Sequence, residues 1–208
     1  MNRTRIKICG VTNVKDAQSI AYAGADAIGL VFYEPSPRFI SIEAAQAIQV
    51  SLPPFISVVG LFVNAEHDYV NTVLDKVSLD VLQFHGDEPE SVCLSYNIPY
   101  IKAVRMSPET NYATQEKEFK SAKALLLDTY VEGQEGGTGQ VFDWAIIPEN
   151  RKKPVILAGG LNAGNVGDAI RVVNPFAVDV SGGVESTKGQ KDEIKVNEFI
   201  KEVENVRV

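Results

Sequence analysis

A thiol closes the first apolar run of the chain, in Lys7-Ile8-Cys9-Gly10, and a carboxyl closes a later one, Lys123-Ala124-Leu125-Leu126-Leu127-Asp128. A thiolate can take a proton and a protonated carboxyl can give one, so Cys9 and Asp128 are a candidate base and acid pair. Both residue types have ordinary uses as well. A free cysteine is most often a small buried hydrophobe, and an aspartate caps helices or faces solvent. Their common place at the C-terminal end of a strand, where a parallel strand opens into a loop, favours chemistry and suggests an enzyme. Such chemistry sets conditions on the surroundings. A free thiol titrates near about 8.5 and needs a lowered pKa or a base relay to act as thiolate. An acid near neutral pH needs burial or a neighbouring negative charge to stay protonated.

Other residues could hold an anionic substrate. Two later runs lead into glycine pairs, Ala158-Gly159-Gly160-Leu161-Asn162 and Asp179-Val180-Ser181-Gly182-Gly183-Val184. One pair alone only permits a tight turn. Two, after the seventh and eighth strands, predict a phosphate site from Gly159, Gly160, Ser181, Gly182 and Gly183, where main-chain N–H groups and a short helix start approach an anion. Gly137, in the run Gly136-Gly137-Thr138-Gly139, is a further phosphate candidate, and residues 130–140 form a loop that could act as a lid. In Glu34-Pro35-Ser36-Pro37-Arg38 two prolines stiffen a loop presenting a guanidinium able to grip a carboxylate bidentately. Gln83-Phe84-His85-Gly86 places a histidine at a strand end, where it either contacts substrate or hydrogen-bonds within the mouth. His67, Cys93 and Trp144 are read as structural.

The elements that must position these groups follow from hydrophobic spacing. Runs rich in Val, Ile, Leu and Phe at 5–9, 27–33, 56–63, 79–85, 99–105, 123–128, 154–158 and 176–181 give eight candidate strands. Several are nearly continuous in small or apolar residues, as in strands covered on both faces, which predicts a parallel sheet. Helices are expected at 14–23, capped by Thr12 or Asn13 and stopped by Gly24, and at 42–50, capped by Ser41. Further helices are expected at 66–76, 88–96, 109–121, 143–147, 163–173 and 191–205. Eight strand-helix units close into a (β/α)8 barrel, an α/β TIM barrel, as one domain over residues 1–208. An open doubly wound sheet is the rival, but the first strand ends without the glycine-rich turn that such sheets use.

Composition narrows the function further. The 208 residues carry a formal charge of -7, and the 20 Lys and Arg are scattered without a basic run, which argues against nucleic acid as partner. Cys9 and Cys93 lack CxxC spacing, so neither a zinc site nor a disulfide framework is indicated, and a reducing cytoplasm fits. No apolar stretch reaches the roughly 18 residues of a membrane span. A monomer suffices for a site built this way, with a homodimer left open.

Taken in order, Lys7-Ile8-Cys9-Gly10, Ser36-Pro37-Arg38, Gly60-Leu61-Phe62-Val63-Asn64, Gln83-Phe84-His85-Gly86, Gly136-Gly137-Thr138-Gly139 with Phe142-Asp143-Trp144, and Leu157-Ala158-Gly159-Gly160-Leu161 closely resemble phosphoribosylanthranilate isomerase from residue 6 to about residue 200. The resemblance implies a single-domain barrel enzyme of tryptophan biosynthesis. Its reaction is an Amadori rearrangement of N-(5-phosphoribosyl)anthranilate to 1-(2-carboxyphenylamino)-1-deoxyribulose 5-phosphate, with no metal or organic cofactor. It implies Cys9 as general base, Asp128 as general acid, Arg38 as the contact to the anthranilate part and Asp179 near the substrate's polar groups. Three positions depart from the family pattern: Ser181-Gly182-Gly183 where two serines are frequent, Phe84 for a common leucine, and Lys188 for a frequent proline. The first bears on one phosphate contact. The histidine-pathway isomerase that performs the same step is a rival, though it has an aspartate at the base position, and a catalytically silent phosphate-binding barrel is another.

Overall fold

The computed structural model describes residues 3–107, 109–129 and 143–206. Eight strands form one closed ring in chain order: β1 Arg5–Cys9, β2 Ala27–Val31, β3 Ser57–Phe62, β4 Val81–Phe84, β5 Tyr100–Met106, β6 Ala124–Thr129, β7 Val155–Leu157 and β8 Ala177–Val180. Each pairs in parallel with the next, and β1 closes on β8. The molecule is therefore the expected α/β barrel, and the closure excludes the open sheet.

Alternation along each strand separates two cores. In β1, Ile6 and Ile8 join the layer between barrel and helices, with Ile20, Ile28 and Phe199. Inside the ring, Ile101, Ala103, Ala124, Leu126, Ile156, Ala158 and Ala177 fill the interior. Nearer the C-terminal mouth, Cys9, Val31 and Leu61 form a small cluster of their own.

The helices are α1 Val14–Ala23, α2 Ile42–Ser51, α3 His67–Leu74, α4 Glu90–Cys93, α5 Tyr112–Glu118, α6 Val166–Val173 and α7 Glu193–Asn205. Of the two cap candidates for α1, Asn13 does the work by accepting from the Asp16 N–H, and Gly24 ends the helix in the left-handed region at φ 107. Ser41 caps α2 as expected. None of the described helices is long and apolar enough to cross a membrane.

Some expected helices come out shorter or differently wound. The segment 88–96 is one α turn, α4, continued by a 3-10 turn at Leu94–Tyr96. Asn97 then turns left-handed at φ 53, and Pro99 follows before another turn could form. The segment 143–147 is only a 3-10 turn, Trp144–Ile146, because Pro148 forces the residue before it out of the helical region. The span 109–121 contracts to α5. A hairpin not expected from the spacing, β9 Glu185–Thr187 and β10 Gln190–Lys191, turns at Gly189 with φ 83. Only after it does Asp192 cap α7, accepting from the Ile194 and Lys195 N–H groups.

Candidate active site

On the inner face of β1, Lys7 and Cys9 stand two residues apart and both point into the barrel. The Lys7 Nζ donates to Asp179 Oδ1 of the adjoining strand β8 at 3.0 Å, and both side chains are buried. Opposite Cys9 in register is Gly29 of β2. A Cβ at Gly29 would stand 2.7 Å from the Cys9 Sγ and 3.1 Å from the Lys7 Nζ, so the glycine vacates the space in which thiol and ammonium meet. Burial pushes the Cys9 thiol above its ordinary value, while Lys7 and Lys191 pull it down. For Lys7 burial works against the charge, yet Asp179 and Cys9 overcome it and hold the ammonium above its ordinary value. Burial likewise raises the Asp179 carboxyl, and Lys7 relieves part of that. Lys7 is thus the cation of this half of the site, a role its place in the sequence motif did not announce.

Asp128 occupies the opposite half, on the inner face at the end of β6. Its Oδ1 accepts from the Thr129 N–H at 2.9 Å, and its Oδ2 lies 3.2 Å from the His85 Nε2. The side chains of His85 and Asp128 are only 13% and 11% exposed. Behind the ring, the fully buried Gln83 sets its Nε2 3.0 Å from the His85 Nδ1. Of the two uses foreseen for His85, its observed partners are within the mouth. Gly159 closes this half: at φ 83, a Cβ there would lie 2.2 Å from Thr129 Oγ1 and 2.9 Å from Asp128 Oδ1. Asp179 acts electrostatically on Cys9 and feels both Asp128 and His85, so the thiol and the carboxyl share one interior.

Arg38 reaches over the end of β1, where a Cβ on Gly10 would meet its Cδ at 2.5 Å. Its Nε and Nη2 donate to Glu185 Oε1 and Oε2 at 2.7 and 2.8 Å, a bidentate grip. Lys191 of β10 donates to the same Glu185 Oε1 at 2.9 Å and to the Ser181 oxygens. Burial alone would raise the Glu185 carboxyl, but its bonds to Arg38 and Lys191 outweigh this and hold it below the ordinary value. Burial lowers the Lys191 ammonium. Neither Glu185 nor Lys191 was a candidate from sequence, since the hairpin that carries them was not foreseen.

The two glycine loops adjoin each other beside this cluster. Gly159 and Gly160 take φ 83 and 64, values that favour glycine. Gly183 begins from so close an approach that its Cβ would fall 1.9 Å from the Leu161 carbonyl oxygen. Asn162 and Asn165 side chains donate to the Gly160 carbonyl and fix the first loop. A short 3-10 turn at Gly182–Val184 stands where a helix start was expected. Gly137 and the proposed lid lie outside the described residues.

The residues set aside as structural behave so. Cys93 is fully buried, and burial pushes its thiol up to about 12. His67 opens α3 and stacks on Tyr96 at 5.1 Å between ring centroids. The Asp143 side chain caps the 3-10 turn that holds Trp144.

With this geometry in hand, comparison with known proteins is specific. Residues 6–202 match the family model described as N-(5'phosphoribosyl)anthranilate (PRA) isomerase. The N-(5'-phosphoribosyl)anthranilate isomerase of Pseudomonas syringae pv. tomato is 55% identical over 203 residues, covering 98% of both chains. A crystal structure of phosphoribosyl anthranilate isomerase in complex with reduced 1-(o-carboxyphenylamino)-1-deoxyribulose 5-phosphate superposes with a TM-score of 0.83 at 43% identity, covering 96% of this chain and 98% of that one. A structure of mutually generated monomers of the dimeric enzyme from Thermotoga maritima superposes at 0.84 with 40% identity, over 97% and 99% of the two chains.

Proposed function

The chain belongs to the N-(5'-phosphoribosyl)anthranilate isomerase family and is an isomerase of tryptophan biosynthesis, and from that premise we propose that Cys9 is its general base and Asp128 its general acid. The observation that carries the assignment is the placing of a thiol and a carboxyl on opposite sides of one buried interior, each held by its own polar partners.

Asp128 protonates the furanose ring oxygen as the C1–O bond breaks, and the anthranilate nitrogen supplies the electrons that make a Schiff base. Cys9 as thiolate then removes the C2 proton, giving an enolamine that tautomerises to the ketone. Lys7 favours the thiolate, and Asp179, held by Lys7, faces the sugar hydroxyls. Arg38 receives the anthranilate carboxylate on the guanidinium edge that Glu185 leaves open. The loops of Gly159, Gly160, Ser181, Gly182 and Gly183, with Gly137, take the phosphate. Support for that placement comes from the adjoining loops and from the phosphorylated product analogue held by a relative of the same fold.

The test uses alkylation. Iodoacetamide at alkaline pH, where the thiolate forms, should modify Cys9 of the small cluster near the mouth and spare Cys93, which is packed in the main core, and the reduced product analogue should protect Cys9. Undiminished labelling of Cys9 under saturating analogue would remove the thiol from the substrate site.

All these residues come from one chain, so a monomer can perform the chemistry. A second copy of the chain is nevertheless the partner we favour, since the Thermotoga relative is described as dimeric. Phe55, 99% exposed and at φ 72, is an apolar knob in a backbone conformation that an aromatic residue rarely adopts. Both cysteines are free and buried, which suits a reducing cytoplasm.

A further inference from the structure

We propose that Glu185 is a positioning residue that selects for the carboxylate of the substrate: it holds the Arg38 guanidinium side-on, so that the end of the fork is left for the anthranilate carboxylate. The proposal rests on Arg38 being the anthranilate contact. A guanidinium has five N–H donors in one plane. The bonds from Nε to Oε1 at 2.7 Å and from Nη2 to Oε2 at 2.8 Å use one side of that plane. They leave the two Nη1 hydrogens and one Nη2 hydrogen. The parallel pair at the end of the fork can take a second carboxylate bidentately.

A long side chain that is ordered only when its ligand arrives costs affinity. Arg38 is ordered beforehand, with its side chain 13% exposed and that of Glu185 5% exposed. A Cβ on Gly10 would stand 2.5 Å from its Cδ, and one on Gly182 would stand 3.3 Å from its Nη2. The side chain therefore lies between the end of β1 and the loop after β8.

Glu185 is braced in turn. Its main-chain carbonyl accepts from the Lys195 Nζ of α7 at 2.8 Å. The Lys191 N–H donates to Asp16 Oδ2 of α1 at 2.9 Å, and the Thr12 hydroxyl donates to the Gly189 carbonyl at 2.6 Å, so the hairpin is tied down at both its turn and its second strand. The Lys191 ammonium donates to Glu185 Oε1, to the Ser181 carbonyl and to Ser181 Oγ, which accounts for its three hydrogens. Its work is to hold Glu185 and the Ser181 loop in one arrangement.

Arg38 and Lys191 carry two positive charges against the one negative charge of Glu185, and a bound carboxylate cancels the excess. By Coulomb's law alone, removing the Glu185 charge should draw an anion in more tightly. Weaker carboxylate binding without Glu185, with the rest of the ligand held as before, therefore comes from a misdirected guanidinium.

Titration calorimetry with two ligands tests this: reduced 1-(o-carboxyphenylamino)-1-deoxyribulose 5-phosphate and the same compound without its carboxylate. The wild type should prefer the carboxylated ligand ~10-fold to 100-fold. Glu185→Gln should cut that preference ~10-fold, with the other ligand bound as well as before or better, and should raise KM for phosphoribosylanthranilate with kcat nearly unchanged. Lys191→Met also frees the Ser181 loop and should weaken both ligands; undiminished binding would deny Lys191 its part. A preference kept or increased in Glu185→Gln, equal weakening of both ligands, or a fall in kcat with KM unchanged would overturn the positioning role. Should Glu185→Gln fail to fold, Glu185→Asp decides: it keeps the charge on a shorter arm, and a wild-type preference there counts against the role. Arg38→Met should abolish the preference. A wild-type preference in Arg38→Met would remove the contact assigned to Arg38, whereas its loss there beside a wild-type preference in Glu185→Gln removes the positioning role alone.

Discussion

Cys9 is a buried thiol, and the charges around it set the pH at which it could serve as the proposed base. Burial raises its pKa above the ordinary thiol value, against Lys7 and Lys191. The reactive form is the thiolate, so alkylation of Cys9 should be slow at neutral pH and should accelerate through a midpoint above that value. Lys7 lowers the thiol pKa, and Lys7→Met should therefore shift the midpoint further alkaline, by about one unit or more. Rates of iodoacetamide labelling across pH measure this, and a midpoint that stays put or moves down in Lys7→Met would deny Lys7 its part. Cys9, Asp128, Arg38 and His85 could be picked from the sequence because reactive types at strand ends are uncommon. Lys7, Glu185 and Lys191 could not, since a lysine or glutamate usually reads as a solvated surface charge. Their importance follows from burial, which only the closed barrel imposes.

At the scale of elements, glycines on neighbouring strands and loops shape the site as much as the side chains they accommodate. Gly159→Ala places a methyl group against Thr129 and Asp128 and forces a residue with a Cβ to φ 83. It should lower the urea unfolding free energy by ~1–3 kcal/mol and reduce kcat/KM through displacement of Asp128. Unchanged unfolding with unchanged kinetics would mean that the loop relaxes freely. The strands were legible because doubly covered parallel strands are nearly continuous apolar runs, and α1 and α2 because their caps and stops agree with their spacing. The turns around Leu94–Tyr96 and Trp144–Ile146 carry the same local signals as helices, but nearby prolines cut them short. The β9–β10 hairpin has too few residues for an alternating pattern, so Arg38 lost its partner Glu185 from view.

Across the whole molecule, ring closure brings β1 beside β8 and so sets Lys7 against Asp179, residues far apart in the chain. That pairing cannot be read from local spacing, although the count of eight strand runs implies the closure that makes it. Phe55 lies in the connection from α2 to β3, on the rim opposite the C-terminal ends of the strands, so a partner there would leave the mouth open. Sedimentation velocity should find the wild-type chain as a dimer and Phe55→Ser as an active monomer. A wild-type chain that sediments as a monomer at all concentrations would exclude that partner.

The division of labour proposed between Cys9 and Asp128 can be read from the loss of anthranilate-type fluorescence when freshly generated phosphoribosylanthranilate meets purified protein. Spontaneous breakdown of the substrate is subtracted, and Cys9→Ser and Asp128→Asn are run beside the wild type. Fast loss with the wild type and a rate ~100-fold to 10,000-fold lower with each variant is the predicted result. Wild-type turnover in either variant would contradict the role assigned to that residue.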